Sequence, residues 1–203
     1  MPNNDIRLLI GIPCYGDMPF EFVNSLTKLI RKLDKDGVTF ELYFRAGTLI
    51  YLSRDAIVRY AVQNGFTHIL WLDDDMVFDD DIYDRLSESG KNFVAGLCVS
   101  RHAKNGSVLF EDLYGRKRYS EYPTELFPIE GCGFACTLMK TSLATQVLDE
   151  YGTCFMPTLD FGEDLAFCER LLKRHIEMWA EPKAVVGHIA NVVVYPDREA
   201  KYL

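Results

Sequence analysis

The first hundred residues alternate between short apolar runs and helical repeats, and this alternation constrains the fold more than any other feature. Ile6 to Ile12 is a nearly continuous apolar run that stops at Pro13, the pattern of a strand covered on both faces. Phe22, Leu26, Leu29, Ile30 and Leu33 then recur at helical spacing, and Gly37 closes that segment. Val38 to Phe44 alternates as a second strand. A second helix follows, with Ser53 as its predicted N-cap, an apolar face of Ile57, Tyr60 and Ala61, and Asn64-Gly65 as its stop. Ile69 to Leu72 is a third strand, a short helix around Ile82 and Leu86 ends at Ser89-Gly90, and Phe93 to Val99 is a fourth strand. Strands separated by helices in this order predict an α/β fold built on a doubly wound, mainly parallel sheet.

Regularity lapses after residue 100. Residues 100–124 are rich in charge and Tyr and read as a long, mobile loop. Strands are expected near 125–130 and 134–140, around Gly131-Cys132-Gly133, and a helix over about 142–151. Leu165, Cys168, Leu171 and Leu172 mark another helix, and two short strands near 184–188 and 191–195 finish the chain. No linker interrupts the 203 residues, which read as one domain.

Composition narrows the class. With 48% apolar and 26% charged residues, 13 Phe and 11 Tyr, the chain is globular and not disordered. No apolar run approaches the ~18 residues of a membrane span, and no signal peptide is recognisable, so a soluble, cytoplasmic protein is expected. The six cysteines are scattered without a C-x-x-C pair and read as reduced and mostly buried. The net charge of −8 is concentrated: residues 73–84 hold seven aspartates and no Lys or Arg. Without them the balance would be 22 basic against 23 acidic residues. Nucleic acid is not expected as a partner, and the local excess calls for a divalent cation.

Asp73-Asp74-Asp75 directly follows the third strand, and ligands of open α/β sheets bind at the carboxyl ends of strands. Adjacent carboxylates repel each other unless a cation neutralises them. Two carboxylates with one residue between them can converge on a hard divalent ion that also holds phosphate oxygens. The plain alternative is a solvated acidic turn before the next helix, whose first turn Asp79, Asp80 and Asp81 already supply with acids.

Ile69-Leu70-Trp71-Leu72-Asp73-Asp74-Asp75 resembles the "hydrophobic strand, then DxD" signature of nucleotide-sugar glycosyltransferases with the GT-A fold. Further segments agree in the same order. Pro13-Cys14-Tyr15 ends the first strand where such enzymes begin their nucleotide pocket. Ser53-Arg54-Asp55 resembles their "A-R-N" segment, and Gly162-Glu163-Asp164 through Arg170 resembles the "G-E-D-x-x-x-x-x-R" helix of inverting, family 2-like members. His188 falls where many members carry a metal-binding histidine. The resemblance spans residues 6 to about 190.

It implies a Rossmann-like GT-A sheet with a small second antiparallel element, residues 1–99 forming the nucleotide-binding half and 100–203 the acceptor-side half. It further implies transfer of a sugar from a nucleotide-diphosphate donor, a UDP-sugar foremost, to an acceptor hydroxyl with inversion. Asp75 would be the direct ligand of Mn2+ or Mg2+, Asp73 would reach the metal through water or touch the ribose, and His188 would be the third ligand. Pro13, Cys14, Tyr15, Arg54, Asp73, Asp74 and Asp75 would contact the donor. Asp164 would be the catalytic base, with Glu163 orienting the acceptor. Arg101, opening the long loop, and Gly131 and Gly133 are further donor or acceptor contacts, although a hairpin turn explains the glycines equally well. The ordinary structural roles are a surface salt bridge for Arg54, packing beneath the sheet edge for Tyr15 and a core position for His188.

On this reading a glycan, a protein or a lipid-linked molecule is the acceptor, and its site stands open or is completed by a dimer partner or another domain. One departure matters: Leu42-Tyr43-Phe44-Arg45-Ala46 lacks the acid with which many members read uracil, so GDP- and dTDP-sugars stay open. Leu70 to Val77 also matches the "hhhhDxDxV" motif of haloacid-dehalogenase phosphatases, with Asp73 as nucleophile and Asp75 as general acid, but that motif follows a first strand. A non-catalytic nucleotide-sugar-binding module and a nucleotidyltransferase are the other competing readings.

Overall fold

In a computed structural model describing residues 6–47, 49–100, 106–190, 192–194 and 201–202, the early alternation becomes a series of well-formed elements. They are β1 (Arg7–Pro13), α1 (Phe20–Lys35), β2 (Thr39–Arg45), α2 (Ile50–Gln63), β3 (His68–Leu72), β4 (Met76–Val77), α3 (Ile82–Ser87) and β5 (Phe93–Leu97). Next come β6 (Phe110–Asp112), β7 (Lys117–Arg118), β8 (Phe127–Ile129), β9 (Cys136–Lys140) and α4 (Thr141–Tyr151). The chain continues through α5 (Glu163–Lys173), β10 (Met178–Val185), β11 (Gly187–Ile189), β12 (Val192–Val194) and β13 (Lys201–Tyr202).

The seven-stranded central sheet runs in the order β2-β1-β3-β9-β5-β10-β8. β1 pairs in parallel with β2 and β3, and β5 does so with β10. β9 lies antiparallel between β3 and β5, and β8 is an antiparallel edge. The expected α/β, mainly parallel sheet is therefore present, and the second antiparallel element is the four-stranded sheet β13-β12-β11-β4.

Strand side chains alternate between two cores, which is why the strands read as continuous apolar runs. Leu9, Ile69 and Trp71 pack with residues of α2, α4 and α5, while Leu8, Ile10, Leu70 and Leu72 pack with α1 and α3. All six cysteines are free and buried, as their spacing predicted. Burial pushes the Cys98 and Cys154 thiols up to about 12, so they are packing groups and not nucleophiles. Among the described residues no helix is long and apolar enough to cross a membrane.

Several expectations need correction. Ser53 does not cap α2: that helix starts three residues earlier, after Leu49, and Ser53 is buried inside it with no hydrogen-bond partner for its hydroxyl. The described part of the predicted mobile loop is pinned to the core. Leu109, Phe110 and Leu113 are buried, Phe110 N–H donates to Gly131 O at 2.7 Å, and Tyr119 Oη donates to Pro128 O at 2.7 Å. The last strand of the central sheet begins at Met178, not near 184, because Met178 and Ala180 are buried where β10 pairs with β8 and β5. Polar Glu181-Pro182-Lys183 interrupts its apolar pattern at an irregularity in the register, which hides the strand from periodicity.

Candidate functional site

β1 and β3 run side by side and end together, so the residues that follow them meet at one edge of the sheet. There Pro13, Cys14, Tyr15, Ser53, Arg54, Asp73, Asp74, Asp75, Glu163 and Asp164 line one cavity of about 300 Å³, joined by Ile50. The 73–75 and 163–164 segments, 90 residues apart in sequence between Asp73 and Glu163, thus face each other. Gly131 and Gly133 are not in its wall. A Cβ on Gly131 would press on Leu113 and Leu165 at 3.2 Å, which accounts for that glycine by packing, while Gly133 lies beside Asp164. Arg101 lies outside the described residues.

Arg54 joins the two halves. It is 2% exposed, and its guanidinium pairs with Asp73 at 3.0 Å, with Glu163 at 3.4 Å, and with Asp164. A surface salt bridge is therefore the wrong description of this residue. Its guanidinium carbon stands 5.5 Å from the Phe134 ring centroid and 5.8 Å from that of Phe155, within cation–π range. Phe134 and Phe155 are fully buried behind the guanidinium and pack edge-on against buried Trp71. The planar, five-donor guanidinium suits such a hub better than an ammonium would.

Two residues whose roles the sequence did not disclose hold these rings in place. Asp55, on α2, accepts hydrogen bonds from the Cys154 and Phe155 amides at 2.8 and 2.9 Å and from the Thr153 hydroxyl. Arg170, buried on α5, donates to the carbonyls of Cys154 at 2.7 Å and Met156 at 2.6 Å. Asp55 and Arg170 thereby clamp the 153–156 segment that carries Phe155 under Arg54. Both lie inside recognised motifs, and that membership was the available signal.

The other half of the aspartate triplet has different partners. Tyr15 N–H donates to Asp74 Oδ2 at 3.3 Å, and the Tyr15 ring is 91% exposed at the cavity, not packed beneath the sheet. Burial, followed by the Asp75 and Asp73 charges, pushes the Asp74 carboxyl above its ordinary range despite that hydrogen bond. Asp75 stands at β4, whose pairing with β11 sets His188 opposite Met76. Ile189 N–H donates to the Asp75 carbonyl at 2.8 Å and fixes this register. His188 Nε2 then lies 3.2 Å from Asp75 Oδ2, and His188 Nδ1 lies 2.9 Å from the Val99 carbonyl oxygen. A carbonyl only accepts, so Nδ1 carries a hydrogen and Nε2 is the ring nitrogen that faces the Asp75 carboxylate.

Six of the seven aspartates of that stretch fall into two groups. Asp79 and Asp81 pair with Arg85, and Asp84 pairs with Lys32, away from the cavity. Asp73, Asp74 and Asp75 remain at it with Glu163 and Asp164, so among the described residues five carboxylates line the cavity together with Arg54. The expected metal set is only partly assembled: Asp75 and His188 meet, whereas Asp73 is turned to Arg54. Among the described residues no group of three His, Cys, Asp or Glu side chains is arranged to hold an ion.

No protein-family model matches the chain, and no curated protein sequence does. Solved structures do resemble it. A197 from STIV is 17% identical, covers 97% of this chain and 93% of its own, and has a TM-score of 0.66. The catalytic domain of Drosophila beta1,4-galactosyltransferase 7, solved with xylobiose, is 12% identical with a TM-score of 0.53, covering 98% of this chain and 71% of that one. A mutant of that enzyme, solved with manganese, UDP-Gal and xylobiose, is 11% identical with a TM-score of 0.55 over the same shares. At these identities the likeness concerns architecture: the chain has a Rossmann-like α/β fold of the GT-A type.

Proposed function

We propose that this chain is a metal-dependent glycosyltransferase that moves a sugar from a nucleotide-diphosphate donor to an acceptor hydroxyl with inversion. A UDP-sugar is the foremost donor, and residues 1–203 work as one unit. The observation that carries this reading is the meeting of Asp73-Asp74-Asp75 with Glu163-Asp164 across one cavity through the buried Arg54.

The side chains fit a divalent cation. His188 Nε2 and Asp75 Oδ2 face each other at 3.2 Å, an imidazole nitrogen and a carboxylate oxygen that both suit a divalent cation. The carboxylates lining the cavity would also repel a diphosphate that entered without a cation. Asp75 and His188 would hold Mn2+ or Mg2+, with Asp73 contributing when Arg54 releases it. When bound, the ion supplies neutralisation of the diphosphate charge as the sugar departs.

The protein's own groups do the rest. Arg54 engages Asp164 and leaves the second carboxylate oxygen to accept the proton of the acceptor hydroxyl. Glu163, one residue earlier in the first turn of α5, orients that hydroxyl. Tyr15 offers an exposed ring on which a nucleobase can stack, and the buried Phe134 and Phe155 rings keep water from behind the Arg54 guanidinium. A glycan, protein or lipid-linked acceptor remains compatible with this arrangement.

Differential scanning fluorimetry with UDP-, GDP- and dTDP-sugars, each with and without Mn2+, tests the assignment. We expect one nucleotide series to raise Tm only when the metal is also present. Stabilisation by sugar nucleotides that is indifferent to metal would overturn the metal-dependent reading.

A further inference from the structure

The two edges of the central sheet are finished differently. β8 is three residues long, contains Pro128, and has the Pro128 carbonyl occupied by Tyr119 Oη at 2.7 Å. Short length and proline are ordinary means of blunting a sheet edge. β2 has neither. Its seven residues keep an unbroken register with β1 from Thr39 to Arg45, with no proline, no lysine and no bulge.

Cys14 N–H donates to Arg45 O at 2.9 Å, so Arg45 turns its backbone groups toward β1. Backbone direction alternates along a strand, and Tyr43 and Glu41 therefore do the same. The N–H and C=O groups of Phe40, Leu42 and Phe44 point out of the sheet, and among the described residues nothing pairs with them. Such a row of free donors and acceptors is a template for another strand. Its flank is apolar as well: Phe44, Leu49, Ile50 and Leu52 are all exposed.

The side chains select the strand that fits. When β2 pairs antiparallel with its own copy about Tyr43, Glu41 stands opposite Arg45 of the second copy, twice by symmetry. Leu42 and Phe44 then exchange backbone hydrogen bonds, while Glu41 and Arg45 meet in the closer, non-hydrogen-bonded pairing. Centring on Glu41 or Arg45 would oppose like charges, and centring on Leu42 or Phe44 would pair neither charge with its opposite. Tyr43 already stacks on Tyr60 at 4.1 Å, and Tyr60 Oη donates to Glu41, so the face that meets the copy is held in place.

We propose that β2 is the contact surface for a second copy of this chain, joined antiparallel about Tyr43 into a two-fold dimer whose central sheet is continuous. The contact requires neither metal nor sugar nucleotide.

Sedimentation equilibrium of the full chain at about 1 to 100 µM should show a reversible dimer of twice the chain mass. Glu41→Arg and Arg45→Glu each set like charges opposite one another at two places, and each should weaken the dimer by about tenfold or more. An equimolar mixture of the two variants should recover it, because every crossed pair is then opposite in charge. The double variant Glu41→Arg/Arg45→Glu should recover it alone. Phe44→Pro, exposed and with its N–H turned away from β1, should keep the fold by circular dichroism and abolish pairing. A chain that stays monomeric, a dimer that survives Phe44→Pro, or single variants that leave the dimer intact or are not rescued by mixing would overturn the proposal.

Discussion

Asp75→Ala is expected to fold as stably as the parent chain yet to lose metal-dependent sugar transfer by on the order of a thousandfold, about 4 kcal/mol of transition-state stabilisation. The two halves of this expectation have separate origins. The backbone of Asp75 ties β4 to β11 through Ile189 N–H at 2.8 Å, and the substitution keeps that bond. The Asp75 charge helps push the Asp74 carboxyl up, so its removal lessens a repulsion between neighbours that offsets the lost contact with His188. With metal present, the same removal takes away the carboxylate beside His188 Nε2. Fluorimetry and a donor-turnover assay on the same samples check both halves. A variant that still shows a metal-dependent rise in Tm with nucleotide sugar would contradict the assignment of Asp75.

The second large effect belongs to Arg54. Arg54→Met should destabilise the fold by about 3 kcal/mol, because it leaves Asp73, Glu163 and Asp164 without their common cation. These carboxylates are each about a quarter exposed, which places the cost at the low end for a broken buried pair. In the folded fraction kcat should fall by about a hundredfold, since a carboxylate displaced by an ångström no longer meets its substrate. Arg54→Lys distinguishes positioning from mere charge balance. It restores the cation and most of the stability, but a single ammonium cannot span three carboxylates in the guanidinium geometry, so kcat should stay low with KM little changed. Denaturant unfolding and steady-state kinetics on both variants provide the readouts. Recovery of kcat in Arg54→Lys to the parent level would show that Arg54 only balances charge.

Much of this architecture is legible in the sequence because local pattern encodes it. Ile69 to Leu72 reads as a buried strand since both of its faces are covered, and Leu26, Leu29 and Leu33 read as a helix since one face of α1 packs on the sheet. The cavity residues are legible for another reason: chemistry at strand ends and helix starts needs charged groups where packing alone would not place them, as at Asp73 and Glu163.

What stayed hidden depends on long-range pairing. Nothing local in Cys136 to Lys140 states that β9 inserts antiparallel between β3 and β5, an arrangement that brings Ala135 O to Asp73 N–H at 3.1 Å. The two-residue β4 is too short to show a period, yet its pairing with β11 is what delivers His188 to Asp75. The start of α2 carries no capping side chain, so Ser53 drew the boundary four residues too late. Asp55 and Arg170 look like surface charges within motifs, and only the fold shows both reaching the 153–156 segment.

Whether Asp75 and His188 form a cation site that serves a nucleotide diphosphate is read out by anomalous diffraction from crystals grown with Mn2+ and UDP. A manganese peak is expected within about 2.3 Å of an Asp75 carboxylate oxygen and His188 Nε2, with diphosphate oxygens on the same ion. Bound UDP with no manganese at that position, and His188 Nε2 still against Asp75 Oδ2, would contradict it.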